Sequence, residues 1–325
     1  MRCATTEPLI VGAGIGGLTA AVALAAHGVP CEVVERAPSL PVSGYGIQLP
    51  PNATRVLRGL GVDLDAVSLR PSAREIRRWS DGALLGRVPL GPAVLSRYGS
   101  PYLTLRRADL LRALAAKAGR IHFGQTLRPA SFVVGADGLH STVRGLLAPG
   151  GLVDLGYTAY RAVLPPVESS VVTVWLGPGA HVVAYPIPGG LNLVVVARPG
   201  ERFGGWHGPV RALVRAATRG FALRTRAPLP AWHRDGVVVI GDAAHPMPPF
   251  LAQGAAQAIE DAAALPSHLD DLAGFEAARR PRAERVAAAS AAGGHEYHLP
   301  DGAEQRRRDE RIAASGLPGQ DWLYA

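Results

Sequence analysis

Four short runs along the chain are built like strands, and each stops at a glycine or an acid. Pro8 to Val11 runs into "GAGIGG". Cys31 to Val34 ends at Glu35 and Arg36. Ser131 to Val134 ends in "GADG", and Val237 to Ile240 ends at Gly241 and Asp242. Short apolar runs bounded by turn residues suit parallel strands buried on both faces. Helical periodicity lies between them. Gly14 to His27 carries Leu18, Val22 and Ala25 on one face and is stopped by Gly28. Asn52 to Leu60 is closed by Gly61, and Ala108 to Ala118 by Gly119. From Tyr157 to Ala197 the pattern changes: "VVTVWLG", "HVVAYPI" and "LNLVVVA" are β-rich runs separated by glycine-containing turns. These predict a mainly antiparallel sheet that interrupts a Rossmann-like α/β domain with a parallel sheet. Phe275 to Ser290 reads as a helix interrupted at Pro281, within a helical C-terminal arm.

Composition narrows the partners. The chain has 325 residues, 48% hydrophobic and 18% charged, which suits a folded chain with a large core. The formal net charge is +8, almost all of it from arginine. The arginines are scattered, and the one dense cluster, Arg306 to Arg308, is followed at once by Asp309 and Glu310. That argues against nucleic acid and for an anionic substrate or cofactor. Pro8 to Ala26 is uncharged and long enough to imitate a membrane span, but its four glycines and the lack of a preceding basic segment favour a soluble strand–turn–helix. Two cysteines, Cys3 and Cys31, form no metal-ligand pattern, so no metal is expected, and a reducing cytoplasmic setting is.

The spacing of Gly12, Gly14 and Gly17 fits G-x-G-x-x-G. Gly12 permits the tight turn, Gly14 admits a pyrophosphate, and Gly17 allows close helix–strand packing. The motif follows a strand, opens a helix, and has Glu35 at the end of the next strand to accept from a ribose. This indicates an ADP-containing dinucleotide, NAD or FAD. Further strands ending in "GADG" and "GDAAH" add loops of the kind an extended dinucleotide needs.

With these residues goes a family. "VGAGIGGLTAAVALAAHG", "VVERA", "GYGIQLPPNATRVLRGLGV", "LRRADLLRAL", "VVGADGLHSTVR", "VVVIGDAAHPMPPFLAQGAAQAIEDA", "FEAARRPRAERV" and the tail "YHLPDGAEQRRRDE" span nearly the whole chain. Together they resemble the FAD-dependent aromatic monooxygenases of the para-hydroxybenzoate hydroxylase type, in the salicylate hydroxylase and 6-hydroxynicotinate 3-monooxygenase branch. The resemblance implies FAD as cofactor, NADH or NADPH and O2 as co-substrates, and hydroxylation of a small phenolic or N-heteroaromatic substrate. It implies that Gly12, Gly14, Gly17, Glu35, Arg36, Gly46, Ile47, Arg107, Asp137, Gly138, Gly241, Asp242, Pro249, Gly254 and Ala255 bind the cofactor. Arg107 would contact FAD near its diphosphate and ribityl chain, and Asp242 would hydrogen-bond the ribityl chain. Gln48, Tyr185 and His245 are the catalytic candidates, with His181 a further candidate base and His245 on the cofactor side. Residues 1–70, 100–150 and 231–265 would form a discontinuous FAD-binding domain. Residues 71–99 and 151–230 would form the substrate-binding sheet, and 266–325 a helical segment. A monomer or homodimer is expected. Two other activities fit the same motifs: an epoxidase or tailoring oxygenase on a natural-product scaffold, and a catalytically impaired FAD-binding scaffold.

Two departures from that family bear on the flavin. Ala252 stands where glycine is common and Ala256 where asparagine is common. A positive φ at Ala252 would cost about 1 kcal/mol, and a negative one nothing. The connections "GRIHFGQTLRPASFVV", "ARPGERFGGWHG" and "LPSHLDDLAGF" are also short. The first lacks a β-hairpin, which is expected to open the adenine end and weaken FAD retention.

Overall fold

A computed structural model describes residues 7–315 and 321–324. Cys3 lies outside the described residues.

The four strands that end at glycine or acid residues lie in one six-stranded sheet. Its order is His233–Arg234, Val237–Val239, Val133–Gly135, Leu9–Val11, Glu32–Glu35 and Ile121–Phe123. All neighbours are parallel except the first pair, a hairpin. Leu9 pairs with both Glu32 and Val133, and Val133 with Val237, so the carboxyl ends of these four strands are level. Segments far apart in sequence therefore deliver their loops to one edge. Both faces of the sheet are covered, which is why Leu9–Val11 and Val133–Gly135 are buried at every position. The helices Ile15–Ala26 and Gly254–Ala264 pack together in this core, with Leu18, Ile240, Ile259 and Phe275 almost fully buried.

The second sheet has seven strands, in the order Arg219–Arg226, Leu152–Leu164, Gly190–Ala197, Ala180–Ile187, Val171–Gly177, Ala73–Arg78 and Leu84–Pro89. Every pair is antiparallel except Val171–Gly177 with Ala73–Arg78. A small sheet of Gly46–Leu49, Leu103–Arg106 and Ser68–Leu69 supplies another wall of the site, described below.

One helix differs from expectation. Leu272–Tyr297 runs for 26 residues straight through Pro281 instead of stopping there. Proline forfeits one backbone bond, but ion pairs hold the helix on both sides of it. Arg279 donates to Asp261 and Glu260, each at 2.8 Å, and Arg282 to Glu260 at 2.6 Å. The helices Gly91–Tyr98 and Gly208–Ala216 were not foreseen. Each opens with Gly-Pro, which reads as a turn but is compatible with a first helical turn.

Candidate active site

The glycine loop separates into two jobs. Gly12 has φ +107°, and a Cβ there would lie 2.6 Å from the Ala136 carbonyl oxygen. A Cβ on Gly17 would come within 1.9 Å of the Gly12 oxygen. Those two glycines are required by the protein's own packing. Gly14 is different: its nearest obstacle would be 3.9 Å away, and it lines the cavity. Its missing side chain serves whatever enters. The helix Ile15–Ala26 starts there without a side-chain cap, leaving its first N–H groups for a ligand. Glu35 braces the loop, accepting from the Ala13 N–H and the Ala37 N–H at 2.8 Å each, and also lines the cavity beside Arg36.

Asp137 and Gly138 line the next part of the wall. The Asp137 carboxylate accepts from Ser141 Oγ and from the backbone of Thr142 (2.7 Å) and Val143 (3.3 Å), so it anchors the start of the helix Val143–Leu147. The shortened connection does not leave this end bare. Gly124 and Gln125 bond to the carbonyls of Ala37 and Glu35, and Gln125, Thr126 and Leu127 complete the wall.

Asp242 follows the strand Val237–Val239, inside a tight turn begun by Gly241 at φ +58°. It lies deep in the molecule, yet its carboxylate faces the open cavity and is solvent-accessible there. Burial raises its pKa, against the pull of His245 and Arg107. Arg107, at the start of the helix Arg107–Ala115, faces the same space. Burial and Arg161 work against its charge, and Asp242 supports it. This pair of opposite charges in a low-dielectric wall suits a ligand carrying both hydroxyls and a diphosphate.

His245 is not brought to the cavity wall. The turn directs it inward, where Nε2 lies 2.6 Å from Asp261 Oδ2. Asp261 also accepts from the Gly241 N–H at 2.9 Å and from Arg279 at 2.8 Å. Burial would raise the Asp261 pKa, but His245, Arg279 and the Gly241 N–H together hold it at about 2. Burial opposes charge on His245, but Asp261 and Asp242 outweigh it and raise its pKa. This ion pair braces the Asp242 turn from behind.

Gly254 and Ala255, at the uncapped start of the helix Gly254–Ala264, line the cavity with Pro249. Ala252 lies there too, at φ 55° and ψ 34°, in the left-handed region. Ala256 instead faces the core and is fully buried. Ala252→Gly is therefore expected to stabilise the protein by up to about 1 kcal/mol. A lower midpoint in chemical denaturation would contradict this.

The opposite wall is one face of the large sheet. Period-2 alternation sends Ala159, Arg161 and Val163, then His181, Val183 and Tyr185, to the same side. Gln48, with Gly46 and Ile47, approaches from the small sheet. Tyr185 is almost fully buried, and burial pushes its phenol pKa up, so it stays protonated. His181 is held neutral by burial and by His298, whose Nε2 lies 2.7 Å from His181 Nδ1. Arg161 was missed in the sequence. Its guanidinium lies 4.9 Å from the centre of the Tyr45 ring, and its Nε is buried without a partner among the described residues. The signal was there: an arginine in the middle of an otherwise uncharged row, Ala159–Arg161–Val163.

The cavity enclosed by these walls is about 1640 Å³. A drug-sized ligand needs about 300–1,000 Å³, so this space admits a dinucleotide and a small second ligand together. The open face at Gly14, two helix starts without side-chain caps and the facing Arg36 and Arg107 fit FAD.

Comparison with known proteins agrees with this geometry. Residues 10–59 match an NAD(P)-binding Rossmann-like domain, and residues 218–281 match an FAD binding domain. The chain is 38% identical to 3-amino-4-hydroxybenzoate 2-monooxygenase of Streptomyces cremeus, over 97% of this chain and 94% of that protein. That alignment runs over 369 positions against a chain of 325, in line with the shortened connections. It is 34% identical to 6-hydroxynicotinate 3-monooxygenase of Bordetella bronchiseptica, over 85% of this chain and 88% of that one. Among solved structures, Klebsiella pneumoniae HpxO complexed with FAD and uric acid superposes with a TM-score of 0.85 at 23% identity, over 96% and 94% of the two chains. A substrate complex of salicylate hydroxylase gives 0.78 at 21%, over 98% and 95%. The chain belongs to the FAD-dependent aromatic monooxygenases.

Proposed function

We propose that this protein hydroxylates a small aromatic acid, phenolic or N-heteroaromatic, using NADH or NADPH and O2. The observation that carries the reading is Arg161, a cation among apolar side chains in the sheet wall that faces the flavin cradle. An aromatic ring fits the apolar surface, and its carboxylate would compensate the guanidinium. Bound FAD, reduced by the nicotinamide cofactor, supplies the activated oxygen that is transferred to the ring.

The chain's own residues then have separable tasks. Gly12, Gly14, Glu35, Arg36, Arg107, Asp137, Gly138, Asp242, Pro249, Gly254 and Ala255 hold the cofactor, with Gly17 and Gly241 shaping their loops. Gly46 and Ile47, which line the cavity, would flank the flavin ring. Arg161 anchors the substrate, and Gln48, His181 and Tyr185 orient the reacting ring. His181 lines the cavity, but burial and His298 lower its basicity, so it serves as a neutral hydrogen-bonding group rather than as the base. His245 supports the flavin loop from behind. We divide the chain as the sequence suggests: 1–70, 100–150 and 231–265 for FAD, 71–99 and 151–230 for substrate, and 266–325 as a helical arm. No helix among the described residues is long and apolar enough to cross a membrane. A cytoplasmic monomer or homodimer, binding no nucleic acid, fits the use of a nicotinamide cofactor.

The test is a panel of hydroxybenzoates, aminohydroxybenzoates and hydroxypyridine carboxylates offered to the FAD-loaded protein. At least one is expected to speed NADH or NADPH oxidation about tenfold or more and to yield a hydroxylated product. No stimulation by any of them would contradict the reading.

A further inference from the structure

Behind Gln48 runs a buried polar chain from three separate segments. Arg74, on the strand Ala73–Arg78, donates from Nη2 to the Tyr102 hydroxyl oxygen at 2.9 Å. That hydroxyl lies 2.8 Å from Gln48 Oε1. Arg74 and Tyr102 are buried, at 9% and 1% exposure, while Gln48 reaches the cavity.

Chemistry sets the direction of the first bond, and the placement of the Gln48 amide sets that of the second. A guanidinium has donors and no acceptor. The Tyr102 oxygen therefore accepts from Arg74, and its hydroxyl donates to Gln48 Oε1. With the amide oxygen so engaged, the amide NH2 is left for the cavity. The orientation of a glutamine amide is inferred from its network; with Arg74 on the acceptor side of the Tyr102 hydroxyl, the proton of that hydroxyl points to Gln48 Oε1.

The anchor is unusual. Burial works against the charge of Arg74, and the titratable groups beside it among the described residues are the tyrosines Tyr102, Tyr324 and Tyr297. The adjacent Glu75 is taken by Arg77 and Arg87. A buried cation polarises the hydrogen-bonded chain it feeds. The far end of that chain lies on the substrate side, because Gly46, two residues before Gln48 on the same strand, is packed against the ring of Tyr185.

We propose that Arg74 and Tyr102 are positioning residues that lock the Gln48 side chain as a hydrogen-bond donor. The site then selects aromatic ligands that present an acceptor oxygen at that point over those that present an amino group. This rests on the aromatic-hydroxylase reading above.

The experiment compares matched hydroxy- and aminobenzoates at each ring position, binding to FAD-loaded protein and read by perturbation of the flavin absorbance. NADH and NADPH oxidation is recorded separately. For the best-binding pair, wild type is expected to favour the hydroxy ligand about tenfold. In Tyr102→Phe, which keeps the ring but frees the amide to turn, the ratio is expected to fall at least about fivefold. Gln48→Glu, which offers only acceptors, is expected to abolish the preference. An unchanged ratio in Tyr102→Phe overturns the proposal. So does a Tyr102→Phe variant that loses FAD affinity while keeping the ratio, since Gln48 would then face the cofactor. Selective binding without NADH or NADPH oxidation would uphold the donor assignment and count against the hydroxylase reading alone.

Discussion

Asp261→Ala is expected to cost about 3–5 kcal/mol of folding stability. The Asp261 carboxylate is completely buried and holds His245, Arg279 and the Gly241 N–H at once. Removing it strips His245 of its partner, takes one of the two carboxylates of Arg279 and orphans a backbone donor, so the loss far exceeds that of one hydrogen bond. The same network gives stability a pH dependence of known sign. Asp261 is pulled down to about 2, below an unfolded carboxylate near about 3.9. Its contribution is present above that unfolded value and lost as pH falls through about 2. His245 is raised, so its contribution is full below about 6.5 and lost as pH rises through its higher folded value. Urea denaturation of wild type and variant at neutral pH measures the effect. A difference under about 1 kcal/mol would show that the network is not cooperative.

Asp242→Ala is expected to do the reverse: weaken FAD binding about 10- to 100-fold and leave the ligand-free fold as stable as before. Asp242 opens onto the cavity, where it is solvent-accessible, and its carboxylate makes no hydrogen bond to another described residue, so the ligand-free fold does not rest on it. A charged group hydrogen-bonded to a ligand hydroxyl contributes about 1.5–3 kcal/mol, which sets the expected factor. Titration of FAD into wild type and variant, followed by flavin fluorescence, gives the ratio. Equal affinities, or a collapse in ligand-free stability, would assign Asp242 to the fold. Two acids nineteen residues apart are thus assigned opposite roles, Asp261 to the protein and Asp242 to its ligand.

That division was only partly legible in the sequence. The cofactor wall could be read because parallel strands carry their own signature: short runs that stop at glycine or acid, whose ends meet once the register is level. The glycine spacing supplied the rest. His245 was harder. Its position three residues after Asp242 suggested the same face, but the turn at Gly241 sends the two side chains opposite ways, and Asp261, which captures His245, belongs to the next helix. Arg161 stands in a long alternating strand whose two faces cannot be told apart without its neighbours. Pro281 implied a break because local rules see the lost bond and not the ion pairs from another helix that compensate it. The Arg74–Tyr102–Gln48 chain joins three segments with no shared motif, so only the tertiary structure reveals it.

If FAD bound in this cavity supports hydroxylation, the oxygen of the new aromatic hydroxyl group comes from O2. The most direct measurement is turnover of the best ligand from the panel under 18O2, with product analysed by mass spectrometry. One 18O atom per product molecule is expected, and none when the label is in water. Label arriving from water, or NADH and NADPH consumption that yields only hydrogen peroxide with every ligand, would contradict the hydroxylase reading.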